Sequence, residues 1–185
     1  SQTPFIVTRI VMGGIGNAGE RMPIILRRST RLPIASVMNW ALSTLRPALA
    51  STTIERYLRH LALFLWWVET EELPIDDPLA FVDLLTPSLI EAGLRPWLGK
   101  DMSGRKVKRL TVNSEEIRER LTVVRDYVDW VLLGGQRSLS VRTQARECLA
   151  VEAARYSIKK TFDELMPKGS ASSETLGLTD AEISR

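Results

Sequence analysis

Three glycines near the N-terminus are spaced as in a dinucleotide-binding loop. Gly14-x-Gly16-x-x-Gly19 follows a strand-like run, and in such a site the loop must lead into a helix whose N-terminus holds the pyrophosphate. The sequence instead continues through residues 20–26 with a proline and β-branched residues, and no second strand with an acidic residue follows about 20 positions on. We therefore interpret the glycines as a loop between two strands and predict no cofactor.

Metal, thiol and tyrosine chemistry lack the residues that they need. His60 and Cys148 are the only residues of their kinds, whereas a zinc site takes about four ligands, mostly Cys and His. Cys148 is expected to be a small core residue. A tyrosine that attacks a phosphodiester needs arginine and histidine donors around the phosphate, so Tyr57, Tyr127 and Tyr156 are expected to pack among apolar neighbours. We predict no catalytic residue and no metal in this chain.

Positive charge is unevenly distributed along the chain, although the formal net charge is only +3. Residues 1–50 and residues 100–169 are both basic, and the stretch between them is acidic. Such blocks favour an oriented surface on which a polyanion can lie. The alternative is a solvated surface that is uneven by chance.

The candidate DNA contacts fall at two helix starts and in one basic loop. The set is Thr52, Thr53, Arg56, Arg59 and His60 on an early helix, Lys100, Arg105, Lys106, Lys108 and Arg109 in the loop, and Arg118, Thr122 and Arg125 on a later helix. Unpaired N–H groups at a helix start also suit a phosphate. Pairing of Glu116 with Arg120 and of Arg125 with Asp129, both four residues apart, would absorb some helix charges but not those of the loop. The hypothesis requires these cations to converge on one side of the molecule without being neutralised by carboxylates.

The elements that must position these residues follow from hydrophobic periodicity. Residues 4–12 and 22–26 predict two strands of a hairpin-like arm. Helices are predicted from residue 35 to Pro47, from residue 52 to about 68, over 78–92 with a break at Pro87 and a stop at Gly93, from residue 113 to Gly134-Gly135, and over 140–166. Three capping boxes, Thr52-x-x-Glu55, Asn113-x-x-Glu116 and Thr179-x-x-Glu182, mark helix starts.

These elements predict a mainly α protein, a bundle of four to five helices with a short N-terminal β-hairpin arm. The arm covers 1–34, the helical domain 35–167, and a linker with the start of a further domain 168–185. A helix start so close to Arg185 leads us to expect that the natural protein continues. No apolar run reaches the roughly 18 residues of a membrane span, and no leader is evident, so we expect a cytoplasmic protein.

The order of these features resembles the core-binding, SAM-like domain of tyrosine (phage-integrase) recombinases. Residues 51–69 (STTIERYLRHLALFLWWVE) are similar to the family's T-x-x-x-Y-x-x-x-L-x-x-F-x-x-W helix, and residues 124–132 (VRDYVDWVL) to its second DNA-facing helix. Residues 178–183 (LTDAEI) resemble the L-T-x-x-E entry to the catalytic domain. The long fifth helix and the β arm depart from the family pattern.

The resemblance implies a helical clamp on duplex DNA at a recombination half-site. A bacterial or phage-encoded parent enzyme would supply Arg, Lys, His-x-x-Arg and Tyr from a following domain and would cut and rejoin DNA through a phosphotyrosine intermediate, with other recombinase protomers as partners. The arginines of the arm would either contact DNA or pack against a neighbouring subunit. The alternative class is a helical interaction or oligomerisation module whose Trp66 and Trp67 surface meets another helix.

Overall fold

The computed structural model describes residues 3–13, 19–75, 77–100, 102–103, 114–138 and 145–167. It is mainly helical, with one antiparallel hairpin at the N-terminus, as the sequence predicts. The strands are β1 (Phe5–Val11) and β2 (Arg21–Arg27). The helices are α1 (Ala35–Trp40, continued by a π-helical turn Ala41–Leu45), α2 (Ser51–Thr70), α3 (Pro78–Leu84), α4 (Pro87–Leu89, continued by a π-helical turn Ile90–Leu94), α5 (Arg95–Leu98), α6 (Ser114–Ser138) and α7 (Ala145–Leu165).

Hydrogen bonds at the two ends of the hairpin define which backbone groups face inward. The Met12 N–H donates to the Glu20 carbonyl (2.7 Å), and the Arg28 N–H donates to the Pro4 carbonyl (2.7 Å). Since directly paired residues alternate along an antiparallel ladder, Phe5, Val7, Arg9 and Val11 direct their N–H and C=O groups away from β2. Pro23 pairs with Arg9, so its backbone nitrogen also points away from β1. Because no ladder hydrogen bond is made at that position, the missing N–H of proline costs nothing.

The two outer edges of the hairpin differ. The edge of β2 is covered, because the Arg27 N–H donates to the Leu32 carbonyl (2.9 Å) and the Ile25 carbonyl accepts from the Ile34 N–H (3.3 Å). On β1, the Phe5 N–H donates to Thr3 Oγ1 (3.2 Å). The N–H groups of Val7, Arg9 and Val11 have no partner among the residues that the structure describes. Within the described part of the chain, the rest of the β1 edge is therefore uncovered.

The hairpin packs against the helices and does not project from them as an arm. Phe5, Met22, Ile24 and Ile25 are buried in the same core as the α2 side chains. Two ion pairs add to this packing: Arg9 bonds Glu55 of α2 at 2.5 Å, and Arg27 pairs with Glu69 near the other end of the helix. Residues of the hairpin therefore lie next to α2 and can line a binding site there.

The central helix α2 buries the stripe that the sequence predicted, because Ile54, Leu58, Leu61, Leu65 and Val68 recur at helical spacing. Its predicted capping box is wrong. The helix begins one residue earlier, after Ala50, and no side chain caps it. The Ser51 hydroxyl instead donates to the Arg21 carbonyl of β2 (2.8 Å).

The predicted break at Pro87 is confirmed, and the predicted stop at Gly93 is wrong. The chain remains helical from Pro87 to Leu98, passing through Gly93 in a π-helical turn. A Cβ at Gly93 would lie 3.0 Å from Nε1 of Trp67, whose side chain is completely buried. Glycine is present there to let the tryptophan approach the backbone.

Helix α6 buries Leu121, Val124, Val128 and Val131, as predicted. It passes its predicted end at Gly134-Gly135 and reaches Ser138, although each glycine lowers helix stability by about 1 kcal/mol. The first helix does end at Leu45, before Pro47, as predicted.

Helix α7 packs on α6 through Val151, Ile158 and Phe162. Two expectations for it were wrong: Tyr156 is 75% exposed and Cys148 is only half-buried. Both lie off the buried stripe. The spacing of apolar residues predicts the helix itself correctly, but the buried face of α7 is narrower than the apolar residues of the sequence suggest.

Two predicted capping boxes, at Asn113 and Thr179, lie outside the described residues, as does the linker that follows Pro167. Within the described part of the chain, no helix has the length and hydrophobicity needed to cross a membrane.

Candidate nucleic-acid interface

The early turns of α2 meet the start of α6 at one glutamate. Arg56 Nη2 lies 2.7 Å from one carboxylate oxygen of Glu119, and His60 Nε2 lies 3.2 Å from the other. Arg56 remains 57% exposed, but His60 is buried. Burial lowers the pKa of His60, and the hydrogen bond with Glu119 opposes this effect in part. The expectation that His60 projects to a phosphate is therefore wrong.

Arg59, on the next turn of α2, bonds Glu55 at 2.5 Å and leaves 58% of its side chain exposed. Arg9 of β1 bonds the other oxygen of the same carboxylate. Glu55 thus joins the hairpin to α2 and shares its charge between two arginines. Around Glu55, two arginines therefore face one carboxylate, and the sum of these charges is positive.

The start of α2 presents unpaired donors. The first helical backbone bond runs from the Ile54 N–H to the Ala50 carbonyl (3.0 Å), so the N–H groups of the three preceding residues have no acceptor within the helix. Thr52 is exposed and Thr53 is half-buried. Both occupy the position that the sequence assigned to them, beside a positive helix end.

The polar stripe of α6 faces the end of α7, away from the Arg56 and Arg59 pairs. Arg118 Nη2 donates to the Pro167 carbonyl (2.7 Å), and the Thr122 hydroxyl contacts the sulfur of Met166 (3.9 Å). Arg125 is held between Asp163 (2.8 Å) and Asp126 (3.0 Å), and not by Asp129, the partner four residues away that the sequence offered as an alternative to DNA contact. Asp129 pairs with Arg155 of α7 instead. These residues form a helix–helix contact.

The start of α6 is acidic in the structure. Glu115, Glu116 and Glu119 line a surface depression together with Arg56. Carboxylates at the beginning of a helix stabilise it through its dipole, and they repel a phosphate. Of the two helix starts proposed as DNA contacts, only that of α2 has a composition that suits an anion.

Arg120 holds the end of α5 on α6. This buried side chain donates to the Leu98 carbonyl (2.5 Å) and the Lys100 carbonyl (3.0 Å), and it forms the predicted ion pair with Glu116. The Lys100 ammonium lies 3.3 Å from the ring centre of Trp97. The basic loop is therefore anchored where it leaves α5. Its other candidates, Arg105, Lys106, Lys108 and Arg109, lie outside the described residues.

Sequence reasoning considered the arginines of the arm together but did not single out Arg28, because it lies in the turn after β2 and matches no motif. It lines a depression of about 360 Å³ together with Arg59, Thr3, Val7 and Ser103. The available signal was the run of residues 27–31 (RRSTR), which contains no acid. Arg28 and Arg59, 31 positions apart, come together only because β2 packs along α2.

The DNA-binding hypothesis requires the candidate cations to lie on one side of the molecule without carboxylate partners. This requirement is met only in part. Arg56, Arg59 and Arg125 are each paired with carboxylates, and Arg118, Thr122 and Arg125 face α7. What remains on one side is the α2 start, the exposed parts of Arg56 and Arg59, and Arg28. In the part of the chain that the structure describes, no group of three or more His, Cys, Asp or Glu residues is placed to hold a metal ion.

Comparisons with protein-family models, with curated proteins and with solved structures found no match to this chain. The resemblance to tyrosine recombinases therefore stays a prediction.

Proposed function

We propose that this chain binds the sugar-phosphate backbone of duplex DNA and serves as the core-binding part of a site-specific tyrosine recombinase. The parent enzyme, in this proposal, cuts and rejoins DNA with a following catalytic domain and assembles with other protomers at a recombination half-site. In this proposal the chain itself contributes contacts to DNA and no catalytic group.

The observation that carries the proposal is where the basic loop is attached. Residues 104–113 contain four Lys and Arg residues and no acid. Just before them, Ser103 lines the same depression as Arg59. Just after them, α6 begins, and Glu115 in its first turn lines a depression with Arg56. Both ends of the loop therefore meet the α2 surface, and a ten-residue chain spans at most about 35 Å.

The ion pairs of Arg56 and Arg59 do not remove these side chains from consideration. Exposed ion pairs contribute only about 0–1 kcal/mol, so a partner can be exchanged at little cost. A guanidinium bonds a phosphate through two parallel N–H groups, and these bonds are stronger than neutral ones. Both arginines remain more than half exposed and can therefore add a phosphate contact.

The alternative function, a protein-interaction module, required an exposed surface at Trp66 and Trp67, and these side chains are not exposed. Trp67 is completely buried, and Trp66 is half-buried with its ring 5.0 Å from that of Trp97. The large apolar side chains that α7 leaves exposed are Leu149 and Tyr156, seven residues apart. A module that works through protein contacts would use that face.

A fluorescence-anisotropy titration with duplexes of unrelated sequence tests the proposal. Backbone binding predicts that log K falls linearly with log salt concentration, by about 0.9 for each phosphate neutralised. Four contacts would give a slope of about −3.6, and more contacts a steeper one. Absence of salt-sensitive duplex binding, with concentration-dependent self-association in analytical ultracentrifugation, would show that the chain is an interaction module instead.

A further inference from the structure

We propose that the depression between β1, the turn after β2 and α2 is a phosphate-binding pocket in which Arg28 and Arg59 act as a pair. Its hairpin side lies outside the helical elements to which the recombinase resemblance extends, and Arg59 of α2 supplies the other side. Among the residues that the structure describes, its lining contains no acidic side chain; these residues are Thr3, Phe5, Ile6, Val7, Arg28, Arg59, Met102 and Ser103. At about 360 Å³ it is within the range of small-molecule sites, roughly 300–1,000 Å³.

Arg28 is held in place by its neighbours. Its Nε donates to the Thr3 carbonyl (3.1 Å), and its backbone N–H donates to the Pro4 carbonyl (2.7 Å). Its two terminal nitrogens have no partner among the residues that the structure describes. An arginine held at Nε and unoccupied at its tip loses little side-chain entropy when it binds an anion.

Arg59 supplies the second guanidinium. One terminal nitrogen bonds Glu55, which also accepts a bond from Arg9, and no further contact of Arg59 is seen within the described residues. The remaining donors of Arg59 are therefore available at the pocket, where no carboxylate among the described lining residues competes for them. Two arginines at one depression recognise a dianionic or monoanionic phosphate better than either does alone.

The backbone adds a further donor. Val7 lines the pocket, and its N–H lies on the open outer edge of β1, unpaired among the described residues. Outward N–H groups of a sheet edge bind anions in other protein sites. The pocket thus combines charge with a fixed hydrogen-bond donor.

The phosphate has two possible sources, a DNA phosphodiester or a free phosphate group. We assign it to DNA, since the basic loop begins next to Ser103 in the pocket wall. This assignment rests on the proposed function. It makes the hairpin part of the DNA-binding surface and widens that surface beyond the helices.

Salt titrations of duplex binding by the wild-type chain and by Arg28→Gln test the assignment, with Arg95→Gln as the matched control. Arg95 is equally exposed, has no partner among the described residues and does not line the pocket. Arg28→Gln should weaken duplex binding about tenfold at low salt and reduce the salt slope by about 0.9. Arg95→Gln should change neither. Circular dichroism checks that both variants fold.

A second measurement separates the pocket from the proposed function. The Arg28 Nε–Hε signal, assigned in ¹H–¹⁵N spectra by its loss in Arg28→Gln, is followed during titration with inorganic phosphate and with duplex DNA. A shift with both ligands supports the assignment. A shift with phosphate alone, in a chain that binds no duplex, would overturn the proposed function and the DNA source while leaving an anion pocket. Duplex binding that is unchanged in Arg28→Gln, with no shift, would overturn the pocket and leave the proposed function intact.

Discussion

The imidazole of His60 and the carboxylate of Glu119 lie 3.2 Å apart between α2 and α6, and the same carboxylate bonds Arg56 at the surface. One acidic side chain therefore joins a buried histidine to an exposed arginine. This arrangement connects the stability of the helical pair to the charge of the proposed DNA-binding surface.

Lowering the pH should destabilise the fold through His60. Burial lowers the pKa of His60 in the folded protein below its usual value of about 6.5, so between pH 7 and pH 5 the unfolded chain binds the proton and the folded chain resists it. The stability that neutral His60 contributes is complete above about pH 6.5 and falls below it, by at most about 1.4 kcal/mol per pH unit. Urea unfolding at pH 7, 6 and 5 measures this.

His60→Gln is the matching variant, because His60 is the only histidine in the chain. The variant should lose less stability than the wild type over the same pH range, whatever its stability at pH 7. Identical pH dependence of the two proteins would show that His60 does not carry the effect.

Charge reversal in the basic loop should weaken binding to any duplex. Lys106→Glu, Lys108→Glu and Arg109→Glu together remove three cations and add three anions. The expected result is a loss of at least tenfold in affinity at low salt and a salt slope reduced by about 3. Mobility-shift assays with two unrelated duplexes measure it.

The control for the loop is an equal reversal elsewhere. Arg95→Glu, Lys159→Glu and Lys160→Glu change the net charge by the same amount at exposed sites on α5 and α7. The control should retain most of its affinity. If the two triple variants lose affinity equally, net charge and not the loop determines binding.

A methyl group at Gly93 should destabilise the protein. In Gly93→Ala the new Cβ meets Trp67 at 3.0–3.3 Å, and the buried indole has no space to move. Overpacking of this kind costs about 1–3 kcal/mol. Gly134→Ala is the control, since a Cβ there meets nothing and alanine favours the helix by about 1 kcal/mol. Thermal melts should shift in opposite directions, and a shift of both in the same direction would contradict the packing argument.

Removing the buried guanidinium of Arg120 should cost about 3 kcal/mol. Arg120→Met leaves the Leu98 and Lys100 carbonyls without their donor and Glu116 without its cation. Arg118→Met is the control, because exposed Arg118 makes a single bond to the Pro167 carbonyl and should lose under 1 kcal/mol. Chemical denaturation of both variants measures their free energies of unfolding. Equal losses would mean that the buried contacts of Arg120 do not stabilise the fold.

The sequence by itself determined the hairpin, the buried stripes of α2 and α6, and the breaks at Pro47 and Pro87. Each of these follows from local chemistry: the spacing of apolar residues, or a proline that cannot continue a helix. It also predicted that the glycines connect two strands of a hairpin, and the antiparallel pairing of β1 with β2 confirms this.

Only the tertiary structure decided what the charged residues contact. Arg125 pairs with Asp163, 38 positions away, and not with its own-helix neighbour Asp129. His60 is buried because α6 packs over that side of α2, and Arg28 lines the same depression as Arg59 because β2 lies along the same helix. Hydrophobic spacing shows which face of a helix is inward, but long polar side chains select partners by distance in space, and that distance is set only when the elements pack.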